Sequence, residues 1–221
     1  MSDVILPGKE NGISFIEENK IIVIIRGLDT EQLEKTVAAM YRGGIRLVEV
    51  TFDQSEKVSD ETTAGYISML CKKFGDRMLI GAGTVMSPEQ VRVAAGAGAR
   101  FIISPDTYEP VIRETVKLGL ISIPGVMTAT EAANAHRYGA DFVKLFPAGQ
   151  FAPSFLRDLC TPLCHVRFLA VGGITPENLR EFGAAGAHGY GISSGIVNKA
   201  AVARGDYGLI EELARKYVSL L

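Results

Sequence analysis

A single lysine interrupts a short apolar segment of the sequence, in the stretch 141–148 that reads DFVKLFPA. An apolar run of this length, bounded by Asp141 and Pro147, is typical of a buried strand in a parallel sheet. Removal of an ammonium group from water favours its neutral form and lowers its pKa. Because a neutral amine attacks carbonyl carbons near neutral pH, Lys144 is a candidate nucleophile.

A glutamate occupies a second apolar segment, 47–52, which reads LVEVTF. Side chains alternate between the two faces of a strand, so the sequence predicts three sets of residues that each share a face. These sets are Ile22, Ile24 and Arg26; Leu47, Glu49, Thr51 and Asp53; and Phe142, Lys144 and Phe146. If the three faces point into one interior, Arg26, Glu49 and Lys144 converge. Thr84 ends the GAGT segment on the same side.

The pairing of a buried lysine with a buried glutamate has two explanations. Glu49 could carry protons for chemistry at Lys144, directly or through a water molecule. Alternatively, the two residues could form a purely structural ion pair, although buried ion pairs contribute little to stability. Perturbed ionisable groups gather at functional sites, which favours the chemical explanation.

Two glycine-rich segments late in the sequence predict an anion site. VGGIT at 171–175 contains Gly172 and Gly173, and GISSG at 191–195 contains Ser193 and Ser194. Backbone N–H groups at such turns bind phosphate, and the loops after the last two strands of a barrel commonly form such a site. Ordinary turn geometry is the alternative explanation for these glycines.

The elements that would position these residues follow a repeated pattern, in which a helical segment ends in glycine and a strand begins shortly afterwards. These glycines lie at positions 44, 75, 98, 119, 139 and 186, and glycine readily adopts the left-handed conformation that ends a helix. The predicted strands are 21–26, 47–52, 78–84, 101–104, 121–124, 142–146, 167–172 and 189–193, preceded by a short helix near 12–19. Eight strands alternating with helices predict a closed (β/α)8 barrel, one domain spanning 1–221. A doubly wound open sheet is the alternative.

Several helix starts are also predicted. Ser87 with Gln90, and Thr128 with Glu131, have the spacing of a capping box. The Thr175-Pro176 pair predicts a helix with proline at its first position.

Composition narrows the possible partners and the location. The net charge of the 221 residues is −2, and the charges are mixed, so we expect no nucleic-acid or membrane partner and favour a small molecule. No apolar run is long enough to span a bilayer. The three cysteines, Cys71, Cys160 and Cys164, cannot all pair, and no secretion signal opens the sequence, so we expect a cytoplasmic protein.

The stretch 160–165, CTPLCH, could suggest metal ligands. Its proline interrupts the spacing, and no second ligand pair occurs elsewhere in the sequence. His136 and His188 stand apart from it and are interpreted as surface or packing residues. We therefore expect neither a metal nor another cofactor.

Taken together, GAGT, VEVT with Glu49 and KLFPA with Lys144 resemble the 2-keto-3-deoxy-6-phosphogluconate (KDPG) and 4-hydroxy-2-oxoglutarate (KHG) aldolase family. ISP at 103–105, IPG at 123–125 and VGGI at 171–174 agree, and the resemblance covers nearly the whole chain from residue 21. It implies a metal-independent class I aldolase on a (β/α)8 barrel, a homotrimer of the cytoplasm that acts on a 2-keto acid.

Residue by residue, the resemblance implies that Lys144 forms the Schiff base and that Glu49 is the general acid and base. It further implies that Arg26 and Thr84 hold the pyruvate carboxylate. Gly172, Gly173 and Ser194 match the phosphate-binding positions of the family.

One departure affects the expected substrate. Well-known members of the family read EVTLR where this chain reads EVTFD, so Asp53 replaces a substrate-binding arginine. KDPG is the expected substrate, with KHG or 2-keto-3-deoxy-6-phosphogalactonate (KDPGal) as alternatives. By strand alternation Asp53 should face the substrate, where it would meet a hydroxyl or pair with Arg26, unless it is a solvated loop residue.

Two other functions are compatible with the same residues. A phosphosugar isomerase or epimerase would use the anion site and Glu49 without a covalent lysine. A non-catalytic protein that binds a phosphorylated acid would use the anion site alone.

Overall fold

The computed structural model describes residues 8–55 and 57–221, and its strands form one parallel sheet. The order of the strands in the sheet is β5-β4-β3-β2-β1-β9-β8-β7-β6. The strands are β1 Ile21–Ile25, β2 Leu47–Thr51, β3 Leu79–Gly83, β4 Phe101–Ile103, β5 Ile121–Ile123, β6 Gly125–Val126, β7 Val143–Leu145, β8 Phe168–Val171 and β9 Gly189–Ile192.

The sheet closes on itself at Pro124. The strands β5 and β6 are at opposite ends of the sheet order, yet only this proline separates them along the chain. The ring is completed by hydrogen bonds from the Lys144 N–H to the Pro124 carbonyl (2.8 Å) and from the Asp141 N–H to the Ser122 carbonyl (3.0 Å). The predicted (β/α)8 barrel is therefore confirmed, and the open-sheet alternative is wrong. Its fifth strand is split, because proline has no N–H to donate to a ladder.

Helices surround the barrel, and their bounds agree with the predicted pattern of alternation. They are α1 Lys9–Asn19, α2 Thr30–Arg42, α3 Asp60–Phe74, α4 Pro88–Gly96, α5 Glu109–Lys117, α6 Ala129–Arg137, α7 Pro153–Cys160, α8 Leu179–Ala184, α9 Lys199–Ala203 and α10 Tyr207–Val218. A 3₁₀ turn, Ala148–Gln150, follows β7.

Of the predicted helix starts, one is confirmed, one in part and one is wrong. Thr128 and Glu131 form a full capping box. Ser87 caps the Gln90 N–H, but the Gln90 side chain accepts from Met86 instead of from the cap residue. The helix expected to begin at Pro176 begins at Leu179, because the Asn178 side chain first accepts from the Thr175 N–H and forms a turn.

Two apolar layers stabilise the barrel. The larger layer lies between the sheet and the surrounding helices. The smaller layer fills the barrel interior, and Ile13 and Ile16 of α1 belong to it. A 2.9 Å ion pair between Lys9 and Asp141 also attaches α1 to the barrel. The interior layer consists of Ile13, Ile16, Ile22, Leu47, Leu79, Phe101, Ile103, Ile121, Ile123, Phe142, Leu169 and Val171.

Among the helices of residues 8–55 and 57–221, none combines the length and the apolar character needed to cross a bilayer.

Candidate active site

A cavity of about 990 Å³ opens where the strands end, and its wall contains the predicted catalytic, carboxylate-binding and phosphate-binding residues but not Asp53. The cavity is lined by side chains from β1, β2 and β7 and by the loops that follow β3, β8 and β9. This is the carboxyl end of the strands, where barrel enzymes bind their substrates. The predicted residues in its wall are Arg26, Glu49, Thr84, Lys144, Gly172, Gly173 and Ser194.

Lys144 is the buried amine of this cavity. It lies in the middle of β7, and only 8% of the residue is exposed. Its Nζ atom lies 4.6 Å from the centre of the Phe146 ring, which is itself partly exposed at the rim. Burial lowers the pKa of Lys144, the Arg26 charge lowers it further, and the Glu49 charge opposes both effects. The amine is thus biased toward the neutral form, which is the nucleophilic one.

Glu49 is the buried carboxyl of the cavity. It lies at the centre of β2, only 1% of it is exposed, and its Oε2 atom has no hydrogen-bond partner. Burial raises the pKa of Glu49, and the charges of Lys144 and Arg26 reduce that rise. A direct Lys144–Glu49 ion pair is absent from the described residues. An unpartnered buried carboxyl is costly, and it is suited to accept and return a proton once a ligand arrives.

The glycines of the GAGT segment provide room for two large neighbours. A Cβ atom on Gly83 would lie 1.5 Å from Glu49 Oε1, and one on Gly81 would lie 2.3 Å from the Phe101 ring. A contact this short would force the Glu49 carboxyl to shift. The absence of a side chain at Gly83 therefore leaves the space that the Glu49 carboxyl occupies. The sequence analysis missed this role, although glycine inside a strand often indicates a close approach.

Arg26 and Thr84 form a polar pair on the cavity wall. The Arg26 Nη2 group donates a 3.0 Å hydrogen bond to Thr84 Oγ1. Thr84 has a φ of 55°, in the left-handed region that β-branched residues rarely occupy, at a cost of about 1–3 kcal/mol. Arginine presents a planar fork of donors that matches a carboxylate. Together the two side chains could hold the carboxylate of a small acid.

The loops after β8 and β9 present backbone donors to the cavity. Gly172 and Gly173 have φ values of 86° and 77°, and Gly149 packs against Gly173 so closely that a Cβ atom on either would crowd the other. In the described part of the chain, the N–H groups of Gly173 and Ser194 donate to no backbone carbonyl. Successive backbone N–H groups in a turn can form a concave surface that suits an anion. These features fit the predicted phosphate site.

A further cation in the cavity was missed by the sequence analysis. Lys199, the first residue of α9, lines the cavity, and its Nζ atom lies 3.6 Å from the position of a Cβ atom on Gly27. No carboxylate in the described residues forms an ion pair with Lys199 or Arg26. The only sequence signal is the NK dipeptide after the GISSG loop. With Lys144, the lining has three basic residues and one acidic residue, Glu49, which favours anionic ligands.

Asp53 does not reach the Lys144 cavity, contrary to the expectation from strand alternation. Its carboxylate accepts hydrogen bonds from Ser55 N (3.0 Å), Ser55 Oγ (2.7 Å) and Val58 N (3.1 Å). The Ser55 bonds lower the pKa of Asp53. The strand ends at Thr51, so the alternation stops before Asp53. Asp53 lines a neighbouring cavity of about 640 Å³ instead, and its observed role is to organise the loop after β2.

The stretch 160–165 contains two cysteines and a histidine, which are possible metal ligands. Its His165 ring lies edge-on to His136, with 4.8 Å between the centroids, and Cys160 and Cys164 are unpaired thiols. Residues 8–55 and 57–221 contain no group of three or more His, Cys, Asp or Glu side chains arranged to hold a metal ion. The two histidines pack on each other at the outer surface of the barrel, away from the lining of the Lys144 cavity.

A buried amine and a buried carboxyl that line one cavity at the carboxyl end of a parallel barrel fit the general class of Schiff-base lyases. Comparison with known proteins agrees. The family model "KDPG and KHG aldolase" matches residues 13–213. The 2-dehydro-3-deoxy-6-phosphogalactonate aldolase of Escherichia coli K12 is 36% identical over 177 residues, which cover 80% of this chain and 83% of that protein.

Two further comparisons cover more of the chain. The KHG/KDPG aldolase of Escherichia coli K12 is 30% identical over 211 residues, 95% of this chain and 96% of the relative. A crystal structure of KDPG aldolase from Legionella pneumophila, with pyruvate captured as a covalent carbinolamine intermediate, has a TM-score of 0.82. Its sequence identity is 28%, and the match covers 92% of this chain and 96% of that one.

This chain therefore belongs to the KDPG and KHG aldolase family. It is a class I aldolase, a carbon–carbon lyase that acts on a small 2-keto acid. The isomerase, epimerase and non-catalytic binding functions that the sequence left open are not supported by these comparisons.

Proposed function

We propose that the protein cleaves a phosphorylated six-carbon 2-keto-3-deoxy sugar acid to pyruvate and glyceraldehyde 3-phosphate, through a Schiff base on Lys144. The observation that carries this proposal is the buried Lys144 amine in a cavity that also contains the unpartnered Glu49 carboxyl. Membership of the family supports the reaction class, and the geometry of the cavity supports the proposed roles of individual residues.

The first chemical step forms the covalent intermediate. The neutral Lys144 Nζ attacks the C2 carbonyl carbon, and one proton passes from the attacking nitrogen to the carbonyl oxygen, which becomes the hydroxyl of a carbinolamine. Protonation of that hydroxyl by the Glu49 carboxyl lets it leave as water, which gives an iminium ion between Nζ and C2 and an ionised Glu49. The iminium is the electron sink that the following bond cleavage requires. The lowered pKa of Lys144 favours this step by increasing the fraction of neutral amine.

The second step breaks the carbon–carbon bond. Glu49 removes the proton from the C4 hydroxyl, directly or through water, and the C3–C4 bonding electrons move into the iminium to give an enamine. The aldehyde then leaves. Glu49 next returns a proton to C3 of the enamine, and water hydrolyses the iminium to release pyruvate and the free lysine. The raised pKa of Glu49 favours both directions of proton transfer.

The remaining residues bind the two ends of the substrate. The Arg26–Thr84 pair would hold the C1 carboxylate, because a guanidinium fork and a hydroxyl offer several donors to one carboxylate. The turns at Gly172, Gly173 and Ser194 would hold the phosphate through backbone N–H groups. Lys199 adds a positive charge in the same cavity.

KDPG is the substrate we propose first, and its C4 epimer KDPGal is the second candidate. The specific support for KDPGal is the 36% identity to a relative named for it, against 30% to the relative named for KHG and KDPG. KHG has no phosphate, so it would leave the donors of the β8 and β9 loops unused. Both phosphorylated epimers would use every group described here.

Two measurements test the proposal. Borohydride reduction in the presence of pyruvate should fix the three-carbon unit to the wild-type protein, and peptide mass spectrometry should locate it at Lys144. Cleavage of KDPG, KDPGal and KHG should be compared by coupling pyruvate release to lactate dehydrogenase. Absence of an adduct would exclude the covalent mechanism. Cleavage of KHG as efficiently as both phosphorylated acids would contradict the proposed phosphate site.

We further propose a cytoplasmic homotrimer. Partly exposed apolar side chains lie on the loops after β3, β4, β6 and β7, which are near one another around the barrel: Met86, Tyr108, Met127 and Phe146. Exposed apolar surface of this kind is often covered in an oligomer. The three free cysteines fit a reducing compartment. Light scattering coupled to gel filtration should give three times the 23.7 kDa chain mass.

A further inference from the structure

A chain of side-chain hydrogen bonds reaches Thr84 from outside the Lys144 cavity. The Gln54 Nε2 group donates to the Thr84 carbonyl oxygen (2.8 Å) and to Gln90 Oε1 (3.2 Å). The Gln90 Nε2 group in turn donates to Asp60 Oδ1 (3.2 Å), at the start of α3. Gln54 does not line the Lys144 cavity; it lines the neighbouring cavity, whose wall also contains Arg26 and Thr84.

These bonds hold the backbone on the carboxyl side of Thr84. Gln54 binds the Thr84 carbonyl, the Val85 N–H donates to Ile103 (3.2 Å), and the Met86 N–H donates to Gln90 Oε1 (2.8 Å). Gln90 is 8% exposed, so its own position is set by packing. Two consecutive peptide groups, which join Thr84 to Val85 and Val85 to Met86, are thereby fixed relative to the barrel.

The fixed segment is the one that contains the strained residue. A β-branched side chain disfavours the left-handed conformation, so Thr84 at a φ of 55° needs bonds from its surroundings to remain there. A rotation toward a relaxed conformation would turn both the Thr84 carbonyl and its side chain. The Thr84 hydroxyl would then lose its 3.0 Å hydrogen bond from Arg26.

We propose that Gln54 is a positioning residue for the pyruvate end of the substrate. Its amide holds the Thr84 carbonyl, which keeps the Thr84 hydroxyl on Arg26 and so keeps the donors for the carboxylate in place. The inference rests on the proposed roles of Arg26 and Thr84. It predicts that Gln54 affects the binding of the keto acid and leaves the binding of the aldehyde unchanged.

The test uses the aldol addition direction, in which pyruvate and glyceraldehyde 3-phosphate are varied separately. Loss of one neutral hydrogen bond corresponds to a change of about two- to tenfold. In Gln54→Ala the KM for pyruvate should rise by about that factor, whereas the KM for the aldehyde should stay within about twofold of wild type. Gln54→Glu keeps the size of the side chain but lacks the donor, so it should show the same rise.

A control variant separates this effect from general disturbance of the loop. Ser55→Ala removes a neighbouring hydroxyl that, among the described residues, donates to Asp53, and it should leave both KM values unchanged. Circular dichroism and thermal melting should show that each variant is folded. Equal rises in the KM for pyruvate and for the aldehyde in Gln54→Ala would overturn the inference.

A double-mutant cycle tests whether Gln54 acts through Thr84. Thr84→Gly adopts the left-handed conformation without strain and lacks the hydroxyl, so Gln54 has nothing left to position. In that background, Gln54→Ala should change the KM for pyruvate by less than about twofold. A full additional rise would show that Gln54 does not act through Thr84.

Thr84→Ala separates the inference from the function on which it rests. If Thr84→Ala leaves the KM for pyruvate unchanged, the proposed role of Thr84 itself is wrong, and the inference fails with it. If Thr84→Ala raises this KM but Gln54→Ala does not, only the inference fails.

Discussion

The two halves of the barrel interior are formed by the same strands but differ in polarity and in how they are filled. The amino-terminal half is apolar and closed by α1, with Ile16 fully buried in it. The carboxyl-terminal half is a cavity lined by Arg26, Glu49 and Lys144. Leu47 and Glu49 are only two positions apart, a distance of about 7 Å along a strand.

The difference teaches that stability and chemistry are separated along each strand. Apolar side chains in the lower half lose water and gain dispersion contacts, which stabilises the fold. The charged groups in the upper half are buried without their full set of partners, which costs stability and shifts their pKa values. A bound substrate would supply the missing hydrogen-bond and charge partners. Substrate binding can therefore offset the loss of stability at these groups.

The largest effect on activity is expected for Lys144→Met, which removes the proposed nucleophile. Turnover should fall to background, and borohydride with pyruvate should leave no adduct, because no other described lysine lies inside a strand of the barrel. Lys144→Arg should be equally inactive, since a guanidinium does not lose its proton in a protein. Appreciable cleavage by either folded variant would exclude the mechanism.

Whereas Lys144→Met should lose activity, its stability should not fall. Because burial lowers the pKa of Lys144 in the folded state, the folded protein binds its proton less readily than the unfolded chain does. This penalty is present at neutral pH and disappears as the pH rises to the ordinary lysine value of 10.5. Thermal melting at neutral pH should therefore show that Lys144→Met is at least as stable as wild type. A clear loss of stability would contradict the proposed division of the barrel.

The next largest effect is expected for Glu49→Gln, which removes the proton carrier but keeps its shape. The rate of cleavage should fall by about 10²–10⁴-fold, while pyruvate still forms the adduct with Lys144. Exchange of the pyruvate methyl protons with deuterated solvent, followed by NMR, measures this step directly. Exchange at the wild-type rate would assign proton transfer to another group.

The Glu49→Gln variant also has an expected pH dependence of stability. Burial raises the pKa of Glu49, so its ionised form is penalised in the folded protein as the pH rises above the ordinary value of 4.5. Any gain in stability from Glu49→Gln should be present at neutral pH and should vanish below about that value. Denaturant unfolding at several pH values measures this difference.

A substitution in the lower half should affect stability alone. Ile16→Ala removes a fully buried side chain of α1 and should lower the free energy of unfolding by about 2–5 kcal/mol. The kcat and KM of the folded protein should stay close to wild type, because Ile16 does not line the cavity. Urea unfolding and steady-state kinetics give the two results. A large change in KM would mean that the two halves are coupled.

Lys199→Ala should have a smaller effect, confined to anionic ligands. Loss of this charge should raise the KM for KDPG by about tenfold or less, with a weaker dependence of KM on salt than in wild type. Lys57→Ala is a matched control, because Lys57 is an exposed lysine that does not line the Lys144 cavity. If both variants raise the KM equally, the effect of Lys199 reflects overall charge and not contact with the substrate.

The smallest effect on substrate choice is expected for Asp53→Asn. The Asp53 carboxylate bonds to Ser55 and Val58 of its own loop, so its loss should mainly loosen that loop. The ratio of kcat/KM values for KDPG and KDPGal should stay within about twofold of wild type. A reversal of that preference would indicate that Asp53 contacts the substrate, as strand alternation alone had predicted.

Much of the architecture was predictable because it depends on local patterns. Apolar segments, most of which follow a helix-ending glycine, predicted the positions of every strand except β6, and alternation correctly oriented Glu49 and Lys144 toward one interior. The same alternation failed at Asp53, because it holds only while the backbone remains extended. The split of the fifth strand at Pro124 was also missed, although proline lacks the N–H that a strand ladder uses.

By itself, the sequence determined the barrel, its order of elements and the two buried ionisable groups, since periodicity and burial act over a few residues. Only the tertiary structure decided how distant loops meet. The bond between Arg26 and Thr84 joins residues 58 positions apart, and Gln54 reaches Gln90 across 36 positions. Such contacts depend on how packed strands and loops converge in space, so the left-handed conformation of Thr84 and the contact of Gly83 with Glu49 became evident only in the folded chain.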